Sequence, residues 1–229
     1  TGLVGETIIA ILEERNFPVE NIVPLASARS VGREVSYRDE RIPIVELESF
    51  DFGGMDFCFF SAGADISSTF VPIATKQGAI AIDNTSAFRY EDDVPLVVPE
   101  VNADALASYK TRNIIANPNC STIQLVVALA PIHKIAKIKR INVATYQSAS
   151  GAGRRSLELL NQQIEANLNG IDGNWEQLFA FNVVPQIDAF QENSFSKEEM
   201  KLVWETQKIL NDYDLLVNAT AVRVLVRVG

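Results

Sequence analysis

Metal and disulfide chemistry have little to work with in this chain: its 229 residues include two cysteines and one histidine. Cys58 and Cys120 stand at unrelated positions, so neither a disulfide framework nor a metal-ligand spacing can be read from them. No apolar run comes close to the roughly 20 residues that a membrane-crossing helix needs. Basic charge is also short. Lys and Arg number 20 against 29 Asp and Glu, and the net charge of −9 argues against a nucleic-acid or anionic-membrane surface. The visible start carries no signal peptide, and the composition suits a reducing cytoplasm. What is present is a chain 47% hydrophobic, long enough to build a sizeable core in one or two domains.

Hydrophobic periodicity organises that core. An amphipathic helix is expected after Gly2 and Gly5, then a strand at 22–26. The segment 55–61 is almost wholly apolar and is expected inside a parallel sheet, with Cys58 buried in it and given no chemistry. A helix at 65–77, bent or divided by Pro72, and a strand at 79–83 follow. Short signals at 96–98 and 103–110 lead to a strand ending at Ala116. Such alternation indicates an open α/β sheet. Past a soft boundary at 117–122 the character changes: a strand at 138–146, a helix at 154–168, a polar loop, a helix at 196–211 and a strand at 215–228.

At that boundary the run Asn117-Pro118-Asn119-Cys120-Ser121-Thr122 puts a thiol on the first turn of an apolar helix. Free N–H groups and the positive end of the helix dipole favour a thiolate there, and the same N–H groups can hold an oxyanion. The plainer reading is a buried cysteine acting as a small hydrophobe.

The other end carries a cofactor signal. Thr1-Gly2-Leu3-Val4-Gly5 before a helix has the form of a dinucleotide-binding turn, whose glycines let a pyrophosphate approach the backbone. Alone it can be an ordinary turn. The next strand runs into Ser27-Ala28-Arg29-Ser30-Val31-Gly32-Arg33, where an NAD site would show an acidic residue. Two arginines and two hydroxyls without a carboxylate suit the 2′-phosphate of NADP, unless they form a solvated basic loop. Ser61-Ala62-Gly63 closes the following strand at the edge where nucleotides bind, and its small residues let one pass near the backbone.

These pieces together resemble the aspartate-semialdehyde dehydrogenase family. The resemblance rests on Thr-Gly-Leu-Val-Gly at 1–5, Ser-Ala-Arg-Ser at 27–30, Asp-Asn-Thr-Ser-Ala-Phe-Arg at 83–89 and Asn-Pro-Asn-Cys-Ser-Thr at 117–122. Further along are Tyr-Gln-Ser-Ala-Ser-Gly-Ala-Gly at 146–153, Phe-Ala-Phe-Asn-Val-Val-Pro-Gln-Ile-Asp at 179–188, Glu-Glu-Met-Lys at 198–201 and Ala-Val-Arg-Val at 221–224. It implies a Rossmann-like, parallel-sheet NADP-binding domain over 1–119 and an α+β catalytic and dimerisation domain over 120–229. The implied reaction is the NADPH-dependent conversion of L-4-aspartyl phosphate to L-aspartate 4-semialdehyde and phosphate, feeding lysine, threonine and methionine synthesis. The implied assembly is a cytoplasmic homodimer or dimer of dimers with no nucleic-acid or membrane partner.

Residue by residue, the resemblance makes Cys120 the nucleophile that forms a thioester and Gln147 the residue that orients the acyl group. Arg223 would bind the substrate carboxylate and Glu198 its amino group. Arg89, Asn119 and Lys201 would bind phosphate. Thr1, Gly2, Leu3, Val4, Ser27, Arg29, Ser30, Ser61, Ala62 and Gly63, with Ser150, Gly151 and Gly153 near the nicotinamide, would bind the cofactor. The chemistry of the residues agrees, since an acyl phosphate of an amino acid asks for several cations and one anion. Without the resemblance, Glu198 and Lys201 read as a surface ion pair three residues apart on a helix.

Leu225 departs from the family, which has proline there. The family's first strand and C-terminal part are expected outside the sequence, and with them the catalytic base. The sole histidine, His133, stands 13 residues beyond Cys120, roughly 20 Å along a helix. It is read as an exposed or structural residue, and a histidine is expected just past Gly229. The rivals are N-acetyl-γ-glutamyl-phosphate reductase, which usually has Gly-Cys-Tyr where this chain has Asn119-Cys120-Ser121, and a non-catalytic binding homologue.

Overall fold

The computed structural model describes residues 2–171, 173, 175, 178–224 and 226. Helix α1 (Leu3–Glu14) comes first, with Gly2 as its extended N-cap. After it come β1 (Leu25–Ala26), β2 (Glu34–Tyr37), β3 (Glu40–Pro43) and β4 (Val45–Glu46). β2 and β3 form a hairpin, and β4 returns to pair in parallel with β1. A parallel sheet follows in spatial order: β5 (Phe57–Phe60), β6 (Ile80–Asp83) and β7 (Ile114–Ala116). Helix α2 (Ala64–Lys76) crosses from β5 to β6, while α3 (Pro99–Asn102) and a 3-10 segment (Ala103–Thr111) lead into β7. The second part comprises α4 (Cys120–Ala136), β8 (Arg140–Gln147), α5 (Arg154–Leu168), α6 (Lys197–Leu210) and β9 (Leu216–Arg223). β8 and β9 pair in parallel along their whole length. The architecture is α/β, a Rossmann-like parallel sheet joined to a second α+β part.

Packing joins the two parts. Phe52, Val71 and Ile114 of the first part and Val126 of α4 in the second are all at most 1% exposed and belong to one cluster, which Ile209 of α6 also enters. Burying each such side chain contributes about 1.5–3 kcal/mol. Neither Pro72 in α2 nor Pro131 in α4 ends its helix. Both prolines lie on the exposed side, as do Ser68 and Val127 four residues earlier, so the carbonyls that lose an N–H partner can reach water.

Three expectations change. The strand at 22–26 shrinks to Leu25–Ala26, because Pro24 has no N–H and only its carbonyl joins the sheet, accepting from Val45 N–H at 2.9 Å. The helix at 103–110 winds as a 3-10 segment. β5 is not enclosed: among the described residues it pairs only with β6, leaving Phe57 and Phe59 47% and 42% exposed. Its free edge faces a cavity of about 430 Å³ lined by Ile8, Leu12, Leu25, Phe57 and Phe59 among others. No described helix is long and apolar enough to cross a membrane.

Candidate active site

The register of β8 on β9 sets Gln147 beside Arg223 at the carboxyl ends of both strands. Arg223 is 7% exposed, and its Nη1 donates to the Ser148 carbonyl at 2.6 Å. Gly151 gives the guanidinium room, since a Cβ on residue 151 would lie 3.0 Å from Arg223 Nη1, closer than ordinary contact. Burial lowers the Arg223 pKa, with Glu198 and Cys120 opposing, and a guanidinium remains charged through such a shift.

Cys120 is the first residue of α4 and is exposed, so the reading of it as a buried hydrophobe fails. Asn119 caps the helix, its side-chain oxygen accepting from Ser121 N–H at 2.9 Å. Its amide Nδ2 donates to Glu198 Oε1 at 2.9 Å, and its backbone N–H donates to Glu205 Oε2 at 2.7 Å. Asn119 is therefore held by three bonds inside the protein before any ligand arrives.

Helix α6 supplies those carboxylates. Ser196 and Glu199 close its start in a reciprocal capping box, and Asn211 ends it in a left-handed conformation. Glu198 also accepts from Gln147 Nε2 at 3.2 Å and from Lys201 Nζ at 2.9 Å. Lys201 reaches Asp188 as well, at 3.0 Å. With side chains only 7% and 13% exposed, Glu198 and Lys201 are a buried pair and not a surface one. Burial pushes the Glu198 carboxyl up, but the Lys201 charge and the bonds from Lys201, Asn119 and Gln147 outweigh it and hold the pKa below the ordinary value. For Lys201, burial lowers the pKa and the two carboxylates more than restore it.

Arg89 arrives on the loop after β6. Asp83, fully buried, accepts from Ser67 Oγ at 2.7 Å, Thr85 N–H at 3.1 Å and Thr85 Oγ1 at 2.9 Å, which folds that loop back. Asn84 Oδ1 then takes a hydrogen bond from Asn117 Nδ2. Arg89 pairs with Glu205 Oε1 at 3.0 Å and donates to the Asn84 carbonyl at 3.1 Å.

The candidate cofactor residues fall into three places. Gly2, Leu3 and Val4 form the start of α1, while Thr1 lies outside the described residues. Ser27, Arg29 and Ser30 occupy a 3-10 turn after β1, with Arg29 exposed. Ser61, Ala62 and Gly63 follow β5, and Gly63 takes φ 108° as it enters α2. Of these residues only Ser61 and Ala62 line the cavity beside β5, together with Gly5 of α1 and Leu25 of β1. Ser150 and Gly151 lie in a 3-10 turn, and Gly153 caps α5 at φ 90°. Arg154, the next residue, binds both Glu6 oxygens at 3.0 and 3.1 Å, so this turn sits against the start of α1.

His133 is not at this site. On the far part of α4, its Nε2 lies 3.5 Å from Asp212 Oδ2 with a side chain 11% exposed, which makes it a structural residue. Cys58 is half-buried in β5, and burial pushes its thiol up to about 11, so it stays protonated. Leu225, Val228 and Gly229 lie outside the described residues.

Comparison with known proteins gives this geometry a family. Residues 1–109 match the model described as semialdehyde dehydrogenase, NAD binding domain, and residues 129–229 match semialdehyde dehydrogenase, dimerisation domain. An aspartate-semialdehyde dehydrogenase of Shewanella violacea is 53% identical over 232 residues, covering 100% of this chain and 69% of that protein. The chain belongs to the aspartate-semialdehyde dehydrogenase family. A crystal structure of aspartate semialdehyde dehydrogenase II complexed with ASA from Vibrio cholerae aligns with a TM-score of 0.96 at 50% identity, covering 99% of this chain and 68% of that one. A structure of the enzyme with NADP from Candida albicans aligns at 0.69 and 25% identity, covering 99% and 66%.

For a member of the aspartate-semialdehyde dehydrogenase family, two residues at this site were missed in the sequence, Glu205 and Asp188. Asp188 stood inside a quoted motif but had no visible partner. Glu205 carried a signal that went unread: 198, 201, 205 and 208 place Glu, Lys, Glu and Lys on one face of a helix, where Leu202, Thr206 and Ile209 are also buried.

Proposed function

We propose that this chain performs the family reaction, reducing L-4-aspartyl phosphate with NADPH to L-aspartate 4-semialdehyde and phosphate. The observation that carries this reading is the convergence of the exposed thiol at a helix start with Gln147, Arg223 and the buried Glu198–Lys201 pair. Residues 1–119 serve as the nucleotide-binding domain and 120–229 as the catalytic and dimerisation domain, assembling as a homodimer.

The residues present fit a dinucleotide. The first N–H groups of α1 have no partner within the helix, and Cβ atoms built on Gly2, Gly5, Gly63 and Gly153 would meet nothing within 4 Å, so the backbone is open to a ligand at each. Arg29, Ser27 and Ser30 would hold a 2′-phosphate, which favours NADP, the cofactor named in the Candida albicans structure. The bound nicotinamide supplies the hydride that turns the thioester into the aldehyde.

Cys120 Sγ attacks the C4 carbonyl and gives its proton to a base, the S–C bond forms, and the C4–O bond breaks with its electrons leaving on the phosphate oxygen. N–H groups at the start of α4 stabilise the oxyanion. Arg223 grips the α-carboxylate with its planar fork. Glu198 receives the substrate ammonium in place of one of its amide donors, and Gln147 steadies the acyl group. Arg89, Asn119 and Lys201 make the phosphate side of the site.

Substrate choice tests this reading. The full-length protein, given NADP and phosphate, is expected to prefer aspartate semialdehyde over N-acetylglutamate semialdehyde by at least about a hundredfold, because Glu198 answers a free ammonium and not an amide. Equal or reversed preference would overturn it.

A further inference from the structure

We propose that Glu205 is a positioning residue that locks the phosphate-binding arginine to the turn bearing the nucleophile, so that one carboxylate sets the distance between them. The proposal rests on the roles given above to Cys120 and Arg89.

Glu205 is fully buried in α6, between Leu202 and Ile209, where an aliphatic side chain would pack without the cost of desolvating a charge. Its two oxygens divide between two segments. Oε2 accepts from the backbone N–H of Asn119, the residue before Cys120, at 2.7 Å. Oε1 accepts from Arg89 Nη1 at 3.0 Å, with Tyr90 OH at 3.5 Å. Arg89 and Asn119 are 30 residues apart in sequence and share no other bridge of this kind among the described residues. Lys208, one turn further along α6, clamps the same loop independently, donating to the carbonyls of Arg89, Glu91 and Val94 at 2.9, 2.7 and 3.2 Å. The reaction explains why this distance matters. Sulfur must reach a carbon whose leaving phosphate is held by Arg89, so the two must match the span of one acyl phosphate, and a misplacement of about 1 Å can cost about a hundredfold in rate.

The test uses full-length enzyme running from aspartate semialdehyde, NADP and inorganic phosphate, with rates expressed per alkylatable Cys120 thiol. Glu205→Gln keeps the volume but sets an amide toward Arg89. Its kcat is expected to fall about 30- to 100-fold and its KM for phosphate to rise about tenfold, while KM for the semialdehyde, held by Arg223 and Glu198, changes less than about twofold. Glu205→Asp, which keeps the charge, should recover part of the phosphate KM. A glutamate needed only for folding would reduce the amount of enzyme and leave all three constants at wild-type values, which overturns the proposal. So does a lowered phosphate KM with kcat retained, since the residue would then restrain binding and not align it. Where neither variant accumulates, enzyme with isotope-labelled asparagine decides by nuclear magnetic resonance. Without phosphate, Arg89→Lys should move the Asn119 backbone amide signal relative to wild type through the shared carboxylate, and an unmoved signal overturns the proposal. Wild-type enzyme that forms no NADPH in response to phosphate would instead refute the reaction assigned above.

Discussion

Replacing Glu198 by Gln removes the charge at the centre of the site and leaves its volume in place. Three donors converge on this carboxylate: Asn119 Nδ2 and Gln147 Nε2 on Oε1, and Lys201 Nζ on Oε2 at 2.9 Å. Breaking a buried ion pair by removing one partner costs about 3–5 kcal/mol. Here Lys201 keeps Asp188 at 3.0 Å, and the glutamine oxygen can still accept from the two amides, so about 2–3 kcal/mol is expected. At roughly 2–4 °C per kcal/mol, the melting temperature at pH 7 should fall by about 4–12 °C. The sign with pH follows from the depressed Glu198 pKa. Its stabilisation is complete above the ordinary carboxyl value of 4.5 and is lost as pH falls through the lower folded value. Thermal melts of wild type and variant should therefore differ most near neutrality and converge in acid. A gap that stays constant into acid, or no gap at pH 7, would refute the pairing.

Two other variants probe the binding residues. Arg29→Ala should weaken NADP roughly tenfold more than NAD, measured as the ratio of the two dissociation constants, and equal losses would mean the loop does not read the 2′-phosphate. Gly151→Ala should raise the KM for aspartate semialdehyde several-fold, because its Cβ would crowd Arg223 Nη1 at 3.0 Å, and an unchanged KM would show that the guanidinium shifts freely.

Local patterns carried much of the fold. The helix at 154–168 is found where periodicity places it, and Ser196 and Asn211 bound α6 as their side chains foretell. Asn119 caps α4 because its short amide reaches back to a free N–H. The hairpin of β2 and β3 was missed because it turns through Arg38 and Asp39, at φ 47° and 65°, without the Asn-Gly pair that marks such turns. Pro72 does not divide α2 because it lies on the solvent-facing side, where a missing bond costs least, and that side cannot be assigned until the packing is known. In the site, the sequence named Cys120, Gln147, Glu198 and Lys201 but not Glu205 or Asp188, whose partners lie far away along the chain. Glu205 meets Arg89 across 116 positions, and no spacing rule connects them.

Cys120 as a covalent nucleophile is the centre of this account, and a phosphate-free burst tests it most directly. Full-length enzyme mixed with aspartate semialdehyde and NADP, without phosphate, should release about one NADPH per Cys120 thiol and then stall at the thioester until phosphate is added. Cys120→Ser should bind NADP normally and give no burst. A burst of similar size from the serine variant, or steady turnover by it once phosphate is supplied, would contradict the account.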